Sequence, residues 1–140
     1  MRSKRAAELS AAEHNALGAA FYSSGAVGLA VEQFRVSVRL APQCAEYWGN
    51  LGASLTDVGD LDEAKRALLI SDELAPGRPS VHFHLGLLFR KLSEIDSAER
   101  EFRKVISLDS DGYLTKRSRE FLSKTKPKII LGLSGTCEED

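Results

Sequence analysis

Cysteine, proline, tryptophan and long apolar runs are all scarce in this chain of 140 residues, and each shortage closes off a class of protein. The two cysteines, Cys44 and Cys137, make no CxxC pair and have no histidine at ligand spacing. That excludes a zinc module and a disulfide scaffold. Two reduced thiols are the expectation, with a Cys44–Cys137 bridge as the alternative. No apolar stretch approaches the roughly 18–20 residues that span a bilayer, and the run from Ile129 to Leu133 is far short of it. Arg2, Lys4 and Arg5 open the chain, but the alanine-rich stretch behind them is broken by Glu8 and Glu13, so it makes no secretory core and a cytoplasmic protein is expected. A formal net charge of −1 leaves no overall field to attract nucleic acid or anionic lipid.

Catalytic signatures are missing too. There is no glycine-rich phosphate loop, no GxSxG elbow and no HExxH. His82 and His84 lie two apart, which on a helix points them in different directions, whereas a metal needs partners three or four apart. No metal, no cofactor and no enzymatic reaction are expected.

What is present is a repeat. Leu17, Leu51 and Leu85 are spaced by 34 residues, and each is followed by a glycine, Gly18, Gly52 and Gly86. Ala30, Ala64 and Ala98 keep the same step, as do Phe34, Leu68 and Phe102, and Leu40, Leu74 and Leu108. Pro42 and Pro76 match, with Ser110 in the third place. A period of this length is the signature of a stacked architecture. Within each unit, apolar residues recur with helical spacing in two blocks, Trp48, Leu51, Gly52 and Leu55 and then Leu61, Ala64, Leu68, Ile70 and Leu74 in the second unit. A mid-helix glycine costs about 1 kcal/mol relative to alanine. Its return at one register implies close approach, expected here between Gly52 and Ala64.

Boundary signals agree with the pattern. Ser10 and Glu13 form a capping-box pair, Gly25 and Gly59 suit reversals between helices, Pro79 suits a first turn, and Pro42 and Pro76 follow helix ends. Helices are predicted at about 11–24, 27–40, 45–57, 61–74, 79–92, 95–108 and 112–125.

These columns resemble the tetratricopeptide repeat. Its pattern runs from a large residue (His14, Trp48 and His82 here) through Leu-Gly, an aromatic column (Phe21, Leu55 and Phe89), a central alanine and a second aromatic to a closing proline. His14, His82 and Ser110 depart from it. The resemblance implies an all-α, right-handed solenoid of helical hairpins with about seven helices. It divides into an extension at 1–10, repeats at 11–44, 45–78 and 79–110, a capping helix at 111–126 and a tail at 127–140.

The resemblance also implies that the first helix of each hairpin lines a concave groove that binds another protein or peptide. The groove residues would be Asn15, Ala19 and Tyr22 from the first repeat, Asn50, Ala53 and Asp57 from the second, and Phe83, His84, Leu87 and Arg90 from the third, with Arg117 from the cap. Ala12, Ala16, Glu46, Gly49, Ser80, Leu114 and Phe121 flank them. One class of the family grips the carboxylate end of chaperones with lysine, asparagine, asparagine, lysine and arginine. Those positions hold Asn15, Ala19, Asn50, Ser80 and His84 here, and only Asn50 matches. That ligand is not expected.

Charge is distributed unevenly along the chain. Residues 45–78 carry seven acids against three bases, and residues 111–128 carry six bases against Asp111 and Glu120. The leading expectation is an adaptor for a partner protein. The alternatives are self-assembly through repeat ends or tail, and a dedicated chaperone that cradles a small subunit. Ile129, Ile130, Leu131 and Leu133 follow Pro127 and are expected to be ordered, either in the protein's own groove or on a second copy.

Overall fold

A computed structural model describes residues 8–124. The tail expected at 127–140, with its apolar run and Cys137, lies outside the described residues. Six helices run Ala11–Ser23 (α1), Val27–Leu40 (α2), Ala45–Val58 (α3), Leu61–Leu74 (α4), Pro79–Lys91 (α5) and Ile95–Leu108 (α6). A seventh, α7, is helical from 113 to 124. None of these is long and apolar enough to cross a membrane.

Local chemistry starts and stops these helices where the sequence predicts. The Ser10 hydroxyl accepts the Glu13 amide at 3.1 Å, and the Glu13 carboxylate accepts the Ser10 amide at 2.8 Å. The Ser10 backbone amide first, and then the Ser10 hydroxyl, hold the Glu13 carboxyl below its usual range. Pro79 occupies the first turn of α5. Gly25 and Gly59 turn the first two hairpins at φ 90° and 92°. The third hairpin places Ser93 at the matching position with φ 63°, a left-handed conformation that costs an L-residue about 1–2 kcal/mol. α6 ends at Leu108 without a closing proline. There the Thr115 hydroxyl of α7 donates to the Asp109 carbonyl and secures the exit.

The repeated glycines are sockets for large side chains. A Cβ on Gly18 would stand 2.6 Å from Phe34 Cε1, on Gly52 2.6 Å from Leu68 Cγ, and on Gly86 2.5 Å from Phe102 Cε1. Each glycine thus takes the large residue of the following helix sixteen positions on. The expected partner of Gly52 was Ala64. Ala64 is fully buried, but Leu68, one turn further along α4, fills the space above the glycine.

Leu51, Leu55, Leu68, Val81, Leu85 and Leu88 belong to one apolar cluster that crosses hairpin boundaries, as expected of a stack whose units cannot bury their faces alone. Leu40, Leu74 and Leu108, which share a sequence column, stay partly exposed at the ends of the second helices. α1 packs against α3 and α3 against α5, whereas α2 and α4 make no comparable backbone approach. The stack therefore curves with the first helices inside.

A second cluster closes the far end. Phe83 of α5, Phe102 and Val105 of α6, and Leu114, Phe121 and Leu122 of α7 pack together. Phe102 and Phe121 stack with centroids 4.9 Å apart and planes 11° apart.

Two measurements check this packing. Gly52→Ala should lower stability by about 1–2 kcal/mol, because overpacking outweighs the helix-propensity gain. Gly28→Ala, with nothing within 4 Å, should be neutral or stabilising by a few tenths of a kcal/mol. Urea titrations in which both variants move the same way would reject the socket. Separately, Ser93→Gly should raise stability by about 0.5–1 kcal/mol, since relief of the left-handed strain exceeds the entropy cost of glycine. A thermal melt reads it directly.

Candidate functional site

The inner face is built from side chains that the first helices bring to one surface. Between α1 and α3 two lateral hydrogen bonds form, both joining residues 35 apart. Asn50 Nδ2 donates to Asn15 Oδ1 at 2.9 Å, and Tyr22 Oη donates to Asp57 Oδ2 at 2.5 Å. Desolvation first, and then the bond to Asp57, pushes the Tyr22 phenol up to about 12. At neutral pH Tyr22 is therefore protonated and a fixed donor to Asp57.

His84 of α5 faces the same space. Its Nδ1 lies 2.8 Å from the Ser80 carbonyl oxygen. A carbonyl only accepts, so Nδ1 carries the proton and Nε2 keeps a lone pair. Burial holds the His84 pKa below its ordinary value, against the opposing pull of the Ser80 carbonyl and the Asp57 charge. The ring is neutral at neutral pH. Together Ala19, Tyr22, Ser23, Phe34, Asn50, Ala53 and His84 line a recess of about 210 Å³.

Seven of the eleven residues expected in the groove, Asn15, Ala19, Tyr22, Asn50, Ala53, Asp57 and His84, gather at this recess or border it. The other four sit at the cap. Phe83 is only 4% exposed and belongs to the second core cluster, with Leu87 packed on it. The Arg90 guanidinium lies 4.3 Å from the Phe121 ring centroid. The Arg117 guanidinium lies 5.6 Å from the Phe83 centroid and 5.7 Å from that of Phe121. Counting along one helix face did not reveal that α7 covers this end.

A polar joint on the other side of the first helices escaped the sequence reading. His82, placed in the large-residue column and expected to be packed, is only 7% exposed. Its Nδ1 meets Glu101 Oε1 of α6 at 2.7 Å and its Nε2 meets Asp72 Oδ1 of α4 at 3.3 Å. His14, in the same column, meets Gln33 Oε1 at 2.7 Å. Both histidines therefore find a polar partner nineteen residues on. Trp48 has Ala67 at that step and donates instead to the Pro42 carbonyl at 2.8 Å.

With this geometry in view, residues 79–111 match the family model described as the tetratricopeptide repeat. Three solved structures are similar over most of the chain. An Arabidopsis OM64 TPR domain shares 17% identity at a TM-score of 0.75, covering 82% of this chain and 95% of that one. The fold is that of tetratricopeptide repeats. The first TPR of Spaghetti (RPAP3), solved bound to the HSP90 peptide SRMEEVD, shares 13% identity at a TM-score of 0.72, with coverage of 81% and 91%. The Yersinia enterocolitica type III secretion translocator chaperone SycD, in an alternative dimer, shares 20% identity at a TM-score of 0.78, with coverage of 84% and 92%. At these identities the likeness is one of fold. No curated protein sequence matches significantly. In a tetratricopeptide frame the recess lies on the inner, first-helix wall, between the first and third repeats.

His84 makes stability depend on pH in a defined direction. Its folded pKa lies below the ordinary value near 6.5, so the unfolded chain takes up the proton first. The stability that the neutral ring contributes is complete above about pH 6.5 and is lost as pH falls toward the depressed folded value. His84→Asn keeps a donor for the Ser80 carbonyl and removes the titration. Between pH 7.5 and 5 the melting temperature of the parent should fall further than that of the variant. Equal falls would remove His84 from the acid response.

Proposed function

We propose that this chain is a protein-interaction module that binds an extended or helical segment of a partner in its concave groove. The observation that carries this reading is the recess itself, with small walls at Ala19 and Ala53 and hydrogen-bonding groups at Asn15, Asn50, Asp57 and His84. Small side chains let a foreign backbone approach, and carboxamides both donate and accept toward it. Tetratricopeptide domains of the same fold support the reading, one of them solved with a peptide.

The ligand differs in kind from that peptide. Ala19, Ser80 and His84 stand where a carboxylate grip wants donors, and Asn50 already spends one N–H on Asn15. A second reading, a dedicated chaperone for a small subunit, draws support from the similarity to the Yersinia chaperone. The two readings differ in stoichiometry, since a chaperone holds one client in a defined complex while an adaptor captures a segment of a larger partner.

A photo-crosslinking amino acid separates the groove from the outer surface. Placed at Ala19 it should yield discrete adducts in cells, and placed at exposed Leu69 of α4 it should yield few. Adducts from Leu69 with none from Ala19 would move the site to the other face.

A further inference from the structure

Hydrogen-bonding groups surround the recess, and one of them is charged. Tyr22 spends its only proton on Asp57 and keeps an oxygen lone pair facing outward. Asp57 engages Oδ2 only, and its exposed Oδ1 has no partner among the described residues. His84 spends its proton on the Ser80 carbonyl and offers Nε2 as a bare acceptor. Asn50 gives one amide N–H to Asn15 and retains its other N–H and its carbonyl oxygen, and Ser23 brings a hydroxyl that both donates and accepts. Neutral donors and acceptors are thus both present, and among the described residues the one charged group beside them is the Asp57 carboxylate.

Among the described residues no lysine or arginine lines the recess. Arg78, just ahead of α5, lines an adjoining recess that shares Asn50 and His84, while Arg90 and Arg117 lie over the aromatic rings of the cap. Below the acceptors the walls turn apolar, with Ala19, Ala53 and the Phe34 ring. At about 210 Å³ the recess falls below the roughly 300–1,000 Å³ of a small-molecule pocket, so it suits a single side chain.

We propose that the recess receives a lysine or arginine side chain of the partner segment, with the stem along Ala19, Ala53 and Phe34 and the cationic head at Asp57 and His84. This rests on the reading that the groove is the binding surface. A basic side chain combines an apolar stem with a head that only donates, which suits the Asp57 carboxylate and the His84 lone pair together. An acidic side chain or a free C-terminus would meet Asp57 and a lone pair. An apolar side chain would desolvate Asp57 and His84 without replacing their bonds to water.

The experiment is selection from a random peptide library displayed on phage against the full chain, followed by titration of the enriched peptides as synthetic compounds. Two variants accompany it, each checked for folding by circular dichroism. Asp57→Asn removes the anion, and Ala19→Lys, at an exposed position, delivers a cation into the recess from the protein itself. Enriched peptides should share a lysine or arginine, lose at least tenfold in affinity when it becomes norleucine, and bind both variants at least tenfold more weakly. Peptides without a basic residue that Ala19→Lys still blocks would overturn the cation proposal and leave the groove reading standing. Peptides indifferent to Ala19→Lys would overturn both, as would a selection that enriches nothing.

Discussion

A glycine facing a large side chain of the next helix is the contact on which this architecture depends. It occurs three times, at Gly18 with Phe34, Gly52 with Leu68 and Gly86 with Phe102. In each hairpin the absent Cβ lets the two helices close around one bulky apolar group, and that group then reaches the shared core. Because the socket recurs at a fixed period, each hairpin has the same depth and presents the same edge to its neighbour. The curvature of the inner wall, and with it the recess between α1, α3 and α5, follows from that regularity.

Much of this organisation was legible before any coordinates. Helix bounds came within a residue or two, because the capping box at Ser10, the first-turn Pro79 and the turn glycines act locally and leave local marks. The partner of each glycine was less legible. A period identifies columns but not the axial register of one helix against the next, and a slip of one turn in that register exchanges Ala64 for Leu68. The inner-face residues of the first two repeats were found by family pattern. Phe83, Leu87 and Arg90 of the third were found in name but not in setting, because they look outward until α7 lies across them. Ser93 carried no warning, since serine is unremarkable in a loop and only its φ reveals strain. The His82 joint did leave a trace in the sequence. Histidine pairs with glutamine or glutamate nineteen residues on, and tryptophan pairs with alanine.

Electrostatically, the inner wall keeps its two characters apart. Its middle is acceptor-rich around Asp57 and His84, and its cap end is cationic around Arg90, Arg117 and Lys124. The guanidinium groups do not reach back to neutralise Asp57, because ring faces hold them: Arg90 lies 4.3 Å and Arg117 5.7 Å from the Phe121 centroid. Aromatic packing at the cap thereby preserves the charge contrast along the groove.

Beyond the shared apolar core, the two junctions between hairpins are made of unlike materials. The first is held by hydrogen bonds at the solvent edge, Tyr22 to Asp57 and Asn15 to Asn50, and by the Arg35–Glu63 ion pair. Water competes for every one of them. At the second, His82 is shut away, with Nδ1 bonded to Glu101 of its own hairpin and Nε2 3.3 Å from Asp72 Oδ1, a buried oxygen with no hydrogen bond of its own. One junction is therefore wetted and the other dry, so added salt screens the Arg35–Glu63 pair while the shielded His82–Glu101 contact is screened far less.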